Sequence, residues 1–149
     1  MTPKPRPIAF SPAGYAALAP KLEALLLKRE RVLVELQRAR EQGDLSENGA
    51  YKAARFELSD TDRAIRQTQY LIKYGVATEA RTDGVIGIGS TVKLRRDDGS
   101  QFTYTLVGTY EADPAAGKIS IESPMGKGLV GKKSGEKVMV KDISFVISS

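Results

Sequence analysis

Apolar residues in the first half of the chain recur at alternating three- and four-residue steps, a spacing that places one apolar stripe along a helix. The first run is interrupted once, by Arg29. Its apolar positions are Tyr15, Leu18, Leu22, Leu25, Val32, Leu36 and Ala39. Ser11 followed by Pro12 predicts the start of this helix, because the hydroxyl can cap free amides and proline fits the first turn. Pro20 either kinks the helix or marks where it starts, since an interior proline removes a hydrogen bond.

A second run with the same spacing follows Gly43 and stops before Gly75, a residue that can end a helix. Its positions are Tyr51, Ala54, Leu58, Thr61, Ile65, Thr68 and Ile72. The short break QGDLSE joins the two predicted helices. We expect them to fold back on each other as an antiparallel coiled coil, because each supplies the apolar stripe that the other must bury.

The periodicity changes in the second half to short, strand-like alternation. A glycine-rich linker is predicted over residues 75–89, and a short helix from Ser123 to Gly131. The predicted strands are STVKL, QFTYTLV, KISIE, KVMV and SFVI, with the turn DDG between the first two. Four aromatic residues are interpreted as core or sheet-face positions: Phe102, Tyr104, Tyr110 and Phe145.

These patterns predict the α+β fold class in two domains. Residues 1–80 form the N-terminal antiparallel α-helical coiled coil, with an acidic tip near residues 43–48. Residues 84–149 form a small antiparallel β-sheet domain with a short helix.

Composition narrows the chemistry available to the chain. Its 149 residues include neither cysteine nor histidine, which excludes disulfides, thiolate nucleophiles, histidine-dependent triads and most zinc sites. A functional metal ion would need oxygen ligands, which favours magnesium or manganese. The net charge of +5 suits a polyanionic partner without establishing one. No apolar stretch is long enough for a membrane helix and the first residues lack a secretion-signal pattern, so we expect a cytoplasmic protein.

The turn between the predicted helices carries two carboxylates, Asp44 and Glu47. Their spacing is that of a capping box, and spacing alone favours this structural interpretation. The functional alternative is that both carboxylates lend oxygen ligands to a hard divalent cation, an ion suited to phosphodiester hydrolysis. Two carboxylates cannot complete an octahedral shell, so a partner would have to supply the remaining ligands.

Basic residues follow this turn on the second predicted helix. Lys52 and Arg55 lie on successive turns close to the acidic loop, where contact with a nucleic-acid backbone is a reasonable hypothesis. The other basic residues on these helices are interpreted as solvated faces with ordinary intrahelical pairs. They are Arg38, Arg40, Arg63, Arg66 and Lys73.

The run GDLSENGAYKAAR resembles the coiled-coil tip of the bacterial transcript cleavage factors GreA and GreB, whose pattern is close to GDLxENxEYxxA. The second half is similar to that family's C-terminal FKBP-like domain, including its SP(M/I)xxxL(L/I/V)GK stretch. This likeness covers nearly the whole chain in the same order. One departure is Ala50, preceded by Gly49, where the family usually has an acidic residue before the tip tyrosine. SPMGKGL and DRAIRQTQYL favour GreB and EADPAAGKIS favours GreA, so the subtype stays open.

The resemblance implies a cofactor of bacterial RNA polymerase rather than an enzyme. The coiled coil would enter the polymerase's secondary channel while the C-terminal domain docks at the channel rim. The polymerase's own magnesium site would cleave the 3′ segment of backtracked nascent RNA. The expected partners are therefore RNA polymerase and nascent RNA, with no membrane and no small-molecule substrate.

The resemblance also assigns roles to residues. Asp44 and Glu47 match the family's acidic pair, which helps to place a second Mg²⁺ ion, bound only in the polymerase complex, and the attacking water. Ser46, Asn48 and Tyr51 would support the tip geometry. Arg55 matches a basic residue near the RNA, whereas Lys52 is assigned there only by its position close to the acidic loop. The expected docking residues are Glu122, Ser123, Pro124 and Met125, whose sequence is equally compatible with a capped helix start.

Three alternatives stay open at this stage. A Gre-like protein could occupy the same channel and regulate or inhibit polymerase without stimulating cleavage, although the intact acidic pair argues against this. A prolyl isomerase is suggested by the FKBP-like resemblance alone, but such enzymes commonly use tryptophan in the pocket and this chain has none. A plain coiled-coil adaptor would explain the apolar stripes but not the presence of both motifs.

Overall fold

The computed structural model describes residues 6–43 and 48–148. They form two compact units, one of Ala16–Tyr74 and one that joins the described residues of Met1–Tyr15 to those of Gly75–Ser149. The first unit is helical and the second contains the sheets, as the predicted α+β fold class requires. Among the described residues, no helix is both long enough and apolar enough to cross a membrane.

Two long helices form the helical unit, and the short helix before them belongs to the other unit except for its last residue. Helix α1 (Pro12–Ala16) is followed by α2 (Leu18–Arg40) and α3 (Gly49–Tyr74). Ser11 caps a helix as predicted, since its hydroxyl oxygen accepts the amide of Gly14 at 3.1 Å. That helix is only the short α1, because the predicted long helix is divided at Ala17. Pro20 lies in the first turn of α2, where the missing amide costs no internal hydrogen bond. Of the two alternatives for Pro20, the structure therefore shows a helix that starts here.

The predicted apolar stripes are the surfaces on which α2 and α3 pack. Every stripe position on the two helices is buried or half-buried. The two threonines of the α3 stripe, Thr61 and Thr68, are only 2% exposed. Their hydroxyls donate hydrogen bonds to the carbonyl oxygens of Glu57 and Ala64, at 2.7 and 2.8 Å. These bonds to the preceding turn satisfy the hydroxyls inside an otherwise apolar interface.

Ion pairs flank the interface and show that the helices run antiparallel. Arg29, the interruption in the first stripe, donates from Nε to Asp62 Oδ1 at 2.7 Å. Arg31 donates to Glu35 at 2.8 Å and to Glu57 at 3.1 Å, and these bonds raise its pKa. A later residue of α2 thus meets an earlier residue of α3, as an antiparallel pair requires.

The second unit contains a five-stranded sheet in the order β5-β4-β3-β7-β6. Its elements are β3 (Thr91–Arg96), β4 (Gln101–Val107), β5 (Lys118–Ser120), helix α4 (Pro124–Leu129), β6 (Lys137–Val140) and β7 (Ile143–Ile147). Each corresponds to a predicted element. One pairing differs, since β5 pairs with β4 in parallel, so the sheet is mixed rather than wholly antiparallel. The chain between β4 and β5 includes two 3-10 turns, Thr109–Glu111 and Pro114–Ala116.

A small parallel sheet was not predicted. Strand β1 (Ile8–Phe10) pairs with β2 (Gly75–Ala77), which begins where α3 ends. The sequence interpretation placed the residues before α1 with the coiled coil, whereas this pairing joins them to the sheet unit. The predicted linker is also more ordered than expected, because Ile86 and Ile88 are buried.

The sheet unit has one apolar core, in which Leu94, Leu106 and Leu129 are fully buried. Phe145 belongs to this core, and Phe102 and Tyr104 are half-buried against it, as predicted. Tyr110 does not follow the prediction. It is 51% exposed and stacks on Phe10 of β1 at 6.2 Å between ring centroids.

Candidate functional site

The predicted carboxylates Asp44 and Glu47, with Ser46 between them, lie outside the described residues. The structure describes the chain on both sides of them. Helix α2 ends at Arg40, and Gly43 follows with a φ of 108°. This left-handed conformation favours glycine, since a Cβ would be strained there. Helix α3 then begins at Gly49, so the departure from the family pattern at Gly49 and Ala50 falls in its exposed first turn.

Asn48 caps α3 and also ties it to α2. Its side-chain oxygen accepts the amide of Tyr51 at 3.1 Å, which satisfies one of the free donors of the first turn. Its side-chain nitrogen donates to the carbonyl oxygen of Ala39 at 2.7 Å, near the end of α2. The capping-box interpretation of Asp44 and Glu47 lies outside the described residues, and the cap that the structure shows for α3 is Asn48.

Tyr51 lies between basic side chains from both helices. The guanidinium carbon of Arg40, the last residue of α2, is 5.8 Å from the centre of its ring, and that of Arg55 is 5.7 Å away. Both distances are within the range of cation–π attraction. The Tyr51 ring thus contacts two cations close to the turn. No sequence argument predicted this arrangement. Arg40 was interpreted as a solvated residue, and its contact with Tyr51 depends on how the helices pack.

Lys52 and Arg55 are exposed, as a role in binding a polyanion requires. Within residues 6–43 and 48–148, neither side chain forms an ion pair with a carboxylate. Together with Phe56 and Ser59 they line a surface depression of about 280 Å³. Sequence reasoning missed Phe56 because it lies off the apolar stripe. Its position, directly after Arg55 and four residues after Lys52 on the same helix, was the available indication.

The predicted docking residues lie in the sheet unit, at the start of α4. Ser123 is the N-cap of this helix, since its hydroxyl oxygen accepts the amide of Gly126 at 3.1 Å and donates to the carbonyl oxygen of Ser120 at 2.6 Å. Met125 is half-buried against the core. Glu122 and Pro124 are exposed. The capped-helix interpretation is thus confirmed for Ser123, and Glu122 and Pro124 are the exposed residues of this segment.

The predicted site residues therefore fall into two sets in different compact units. Asn48, Tyr51, Lys52 and Arg55 lie together at one end of α3, and residues 122–125 lie in the other unit. Among the described residues, no three carboxylates are grouped so that they could hold a metal ion.

Comparison with protein families gives matches to both halves of the chain. The family described as "Transcription elongation factor, N-terminal" matches residues 8–74. The family described as "Transcription elongation factor, GreA/GreB, C-term" matches residues 81–146. The two matches follow each other in chain order, as the predicted domains do.

Two curated relatives are similar over most of their length. The transcription elongation factor GreA of Mesoplasma florum is 42% identical over 141 residues, which cover 92% of this chain and 90% of that protein. GreA of Thermomicrobium roseum is 40% identical over 138 residues, which cover 90% and 88%. Among solved structures, the transcription factor Gfh1 is 26% identical with a TM-score of 0.50, and the match covers 98% of each chain.

Proposed function

Because the chain belongs to the GreA/GreB family of transcription elongation factors, we propose that it acts on bacterial RNA polymerase and stimulates cleavage of backtracked nascent RNA. The observation that carries this proposal is the match of both halves to the family in chain order. The coiled coil formed by α2 and α3 enters the secondary channel, and the sheet unit docks at its rim. The catalytic centre is that of the polymerase, so the chain is not itself an enzyme.

In this proposal Asp44 and Glu47 supply oxygen ligands for a second Mg²⁺ ion that is shared with the polymerase. Carboxylate oxygens are the ligands that this ion prefers, and the chain contains no histidine or cysteine that would select a softer metal. The ion would supply charge stabilisation and make water a better nucleophile at neutral pH. Since Asn48 caps α3, the two carboxylates are not needed as caps for that helix.

The described residues around the turn have a positioning role. Asn48 joins the start of α3 to the end of α2 through its hydrogen bond to Ala39, which fixes the two chain ends from which residues 44–47 extend. Tyr51 adds an aromatic contact to Arg40 across the same helix pair. A rigid frame reduces the conformational entropy that the carboxylates would lose on entering the polymerase site.

Lys52 and Arg55 bind phosphates of the extruded RNA in this mechanism. Both are exposed, and their positive charges attract a polyanion. This electrostatic attraction weakens as the salt concentration rises. Glu122 and Pro124 provide the exposed part of the docking surface on the sheet unit. Ser123 and Met125 act indirectly there, by holding α4 in place.

The test is RNA cleavage in stalled, backtracked elongation complexes with and without the protein. We expect the intact chain to accelerate release of the RNA 3′ segment, and Asp44→Asn with Glu47→Gln to abolish this acceleration while polymerase binding stays nearly unchanged. Glu41→Gln is the matched control, because it removes an exposed carboxylate next to the same turn. It should retain acceleration.

Other results would contradict the proposal in distinguishable ways. If the intact chain binds polymerase but gives no acceleration, it regulates the channel without stimulating cleavage. If the double substitution abolishes binding itself, the acidic pair is structural. If neither binding nor acceleration occurs, the polymerase assignment fails.

A further inference from the structure

Phe56 is the most exposed large apolar side chain in the described part of the protein, at 74%. It lies on α3 away from the stripe that packs on α2, whose neighbouring positions Ala54 and Leu58 are buried and half-buried. At a rise of 1.5 Å per residue it is about 12 Å along the helix from Asn48. A ring exposed to this extent contributes little packing energy to the fold, so the fold does not explain an aromatic residue at this position.

The surroundings of Phe56 are polar and cationic. Lys52 lies four residues before Phe56 and Arg55 directly before it. Ser59 lies three residues after it, and all four residues line one depression. The nearest carboxylates of α3 have cationic partners. Glu57 contacts Arg31 at 3.1 Å, and Asp60 lies 3.5 Å from Arg63. The face around the ring therefore has an unneutralised positive charge.

An aromatic ring flanked by two exposed cations has the chemistry of a single-stranded nucleic-acid contact. Bases stack on aromatic rings without sequence preference, while the flanking cations bind the phosphates between them. We propose that Phe56 stacks on a base of the extruded RNA while Lys52 and Arg55 contact its backbone. This inference rests on the proposed function and adds an RNA-stacking residue to that site.

An apolar protein surface fits this face less well. None of the other residues that line the depression is apolar, so such a partner would cover a single ring. It would also have to desolvate Lys52 and Arg55 without providing charge for them, which is costly. RNA satisfies the ring and both cations together, because bases and phosphates alternate along the strand.

The first experiment measures cleavage in elongation complexes with short and long extruded RNA. If the proposal holds, only a long extruded strand reaches Phe56, because this residue lies about 12 Å along α3 from Asn48. With long RNA, Phe56→Ala should raise the protein concentration for half-maximal cleavage by at least about five-fold. This is the affinity change expected from the lower end of the range for losing one base stack. With short RNA it should match the unsubstituted chain. Phe56→Trp should restore the affinity for long RNA and Phe56→Leu should not, because stacking needs an aromatic face.

Leu27→Ala is the matched control. Leu27 is also an exposed apolar residue of the helical unit, at 61%, but it lies on α2. Its substitution should leave cleavage unchanged for both RNA lengths. Circular dichroism should show unchanged helix content for all of these variants, since neither Phe56 nor Leu27 is in the buried stripe.

The second experiment does not depend on cleavage. Extruded RNA that contains 4-thiouridine is irradiated in complex with the Asp44→Asn, Glu47→Gln chain, which keeps the RNA intact. We expect a crosslink to α3 that is lost when Phe56→Ala is added. No crosslink, or one that Phe56→Ala leaves unchanged, would overturn the inference, as would full activity of Phe56→Leu with long RNA. Failure of the proposed function would appear separately, as no acceleration by the unsubstituted chain with short RNA.

Discussion

The side-chain amide of Asn48 donates a 2.7 Å hydrogen bond to the carbonyl oxygen of Ala39, which joins the start of α3 to the last turn of α2. The same side chain caps α3 by accepting the amide of Tyr51. One residue therefore fixes both ends of the segment that carries Asp44 and Glu47.

Two substitutions separate the functions of Asn48. Asn48→Ser keeps a good cap but is too short to reach Ala39, so we expect a loss of about 1 kcal/mol in the free energy of unfolding of the helical unit. Asn48→Ala removes cap and bond and should lose about 2 kcal/mol. Urea unfolding followed by far-ultraviolet circular dichroism measures both losses. Amide exchange at Tyr51 should accelerate in Asn48→Ala only.

The cleavage assay then tests whether this bond matters for function. Asn48→Ser should reduce acceleration of RNA cleavage while polymerase binding is retained. If Asn48→Ser is as stable and as active as the unsubstituted chain, the bond to Ala39 contributes nothing to either property.

The regular elements could be predicted from sequence because their patterns are local. Strands β4 and β6 have the predicted bounds, and α4 begins at the predicted Ser123 cap. The pairing of β1 with β2 could not be predicted in this way. Each has only three residues, and α1, α2 and α3 separate them along the chain, so the sequence contains no local signal for their contact.

The acidic turn shows a different limit of sequence reasoning. Asp44 and Asn48 are both good cap residues, and the spacing of Asp44 to Glu47 fits a capping box. The cap that the structure shows is Asn48, whose side chain also binds the carbonyl oxygen of Ala39, a contact that depends on how α2 and α3 pack. The catalytic interpretation of the acidic pair remains a prediction from family resemblance.

Tyr51 is expected to position Arg40 and Arg55 through its ring rather than its hydroxyl. Tyr51→Phe should therefore leave stability and cleavage nearly unchanged. Tyr51→Ala should destabilise the helical unit by about 1–2 kcal/mol, since two exposed cation–π contacts are lost. A double-mutant cycle with Arg40→Gln measures the coupling energy between Tyr51 on α3 and Arg40 on α2. A coupling energy of zero in this cycle would show that the Arg40 contact contributes nothing.

The ion pair of Arg29 with Asp62 replaces an apolar contact in the coiled-coil stripe. Its side chains are 42% and 32% exposed, so solvent screens the pair and we expect a coupling energy of at most about 1 kcal/mol. Asp62→Ala alone should lower the unfolding temperature. Arg29→Leu with Asp62→Ala should restore it or raise it further, because leucine continues the apolar stripe. A double variant less stable than the unsubstituted chain would mean that the pair stabilises the coil more than a leucine does.

Gly126 allows α4 to pack closely on the end of β5. A Cβ at this position would overlap the carbonyl oxygen of Ser120 and come within 2.9 Å of the Cα of Ile121, and backbone atoms cannot move aside cheaply. Gly126→Ala should therefore destabilise the sheet unit by about 1–3 kcal/mol. Gly49→Ala is the control, since nothing lies within 4 Å of its Cβ position and alanine favours a helix. Urea unfolding followed by amide exchange at Leu106 measures the sheet unit. Equal stability of the two variants would mean that α4 shifts to accept the methyl group.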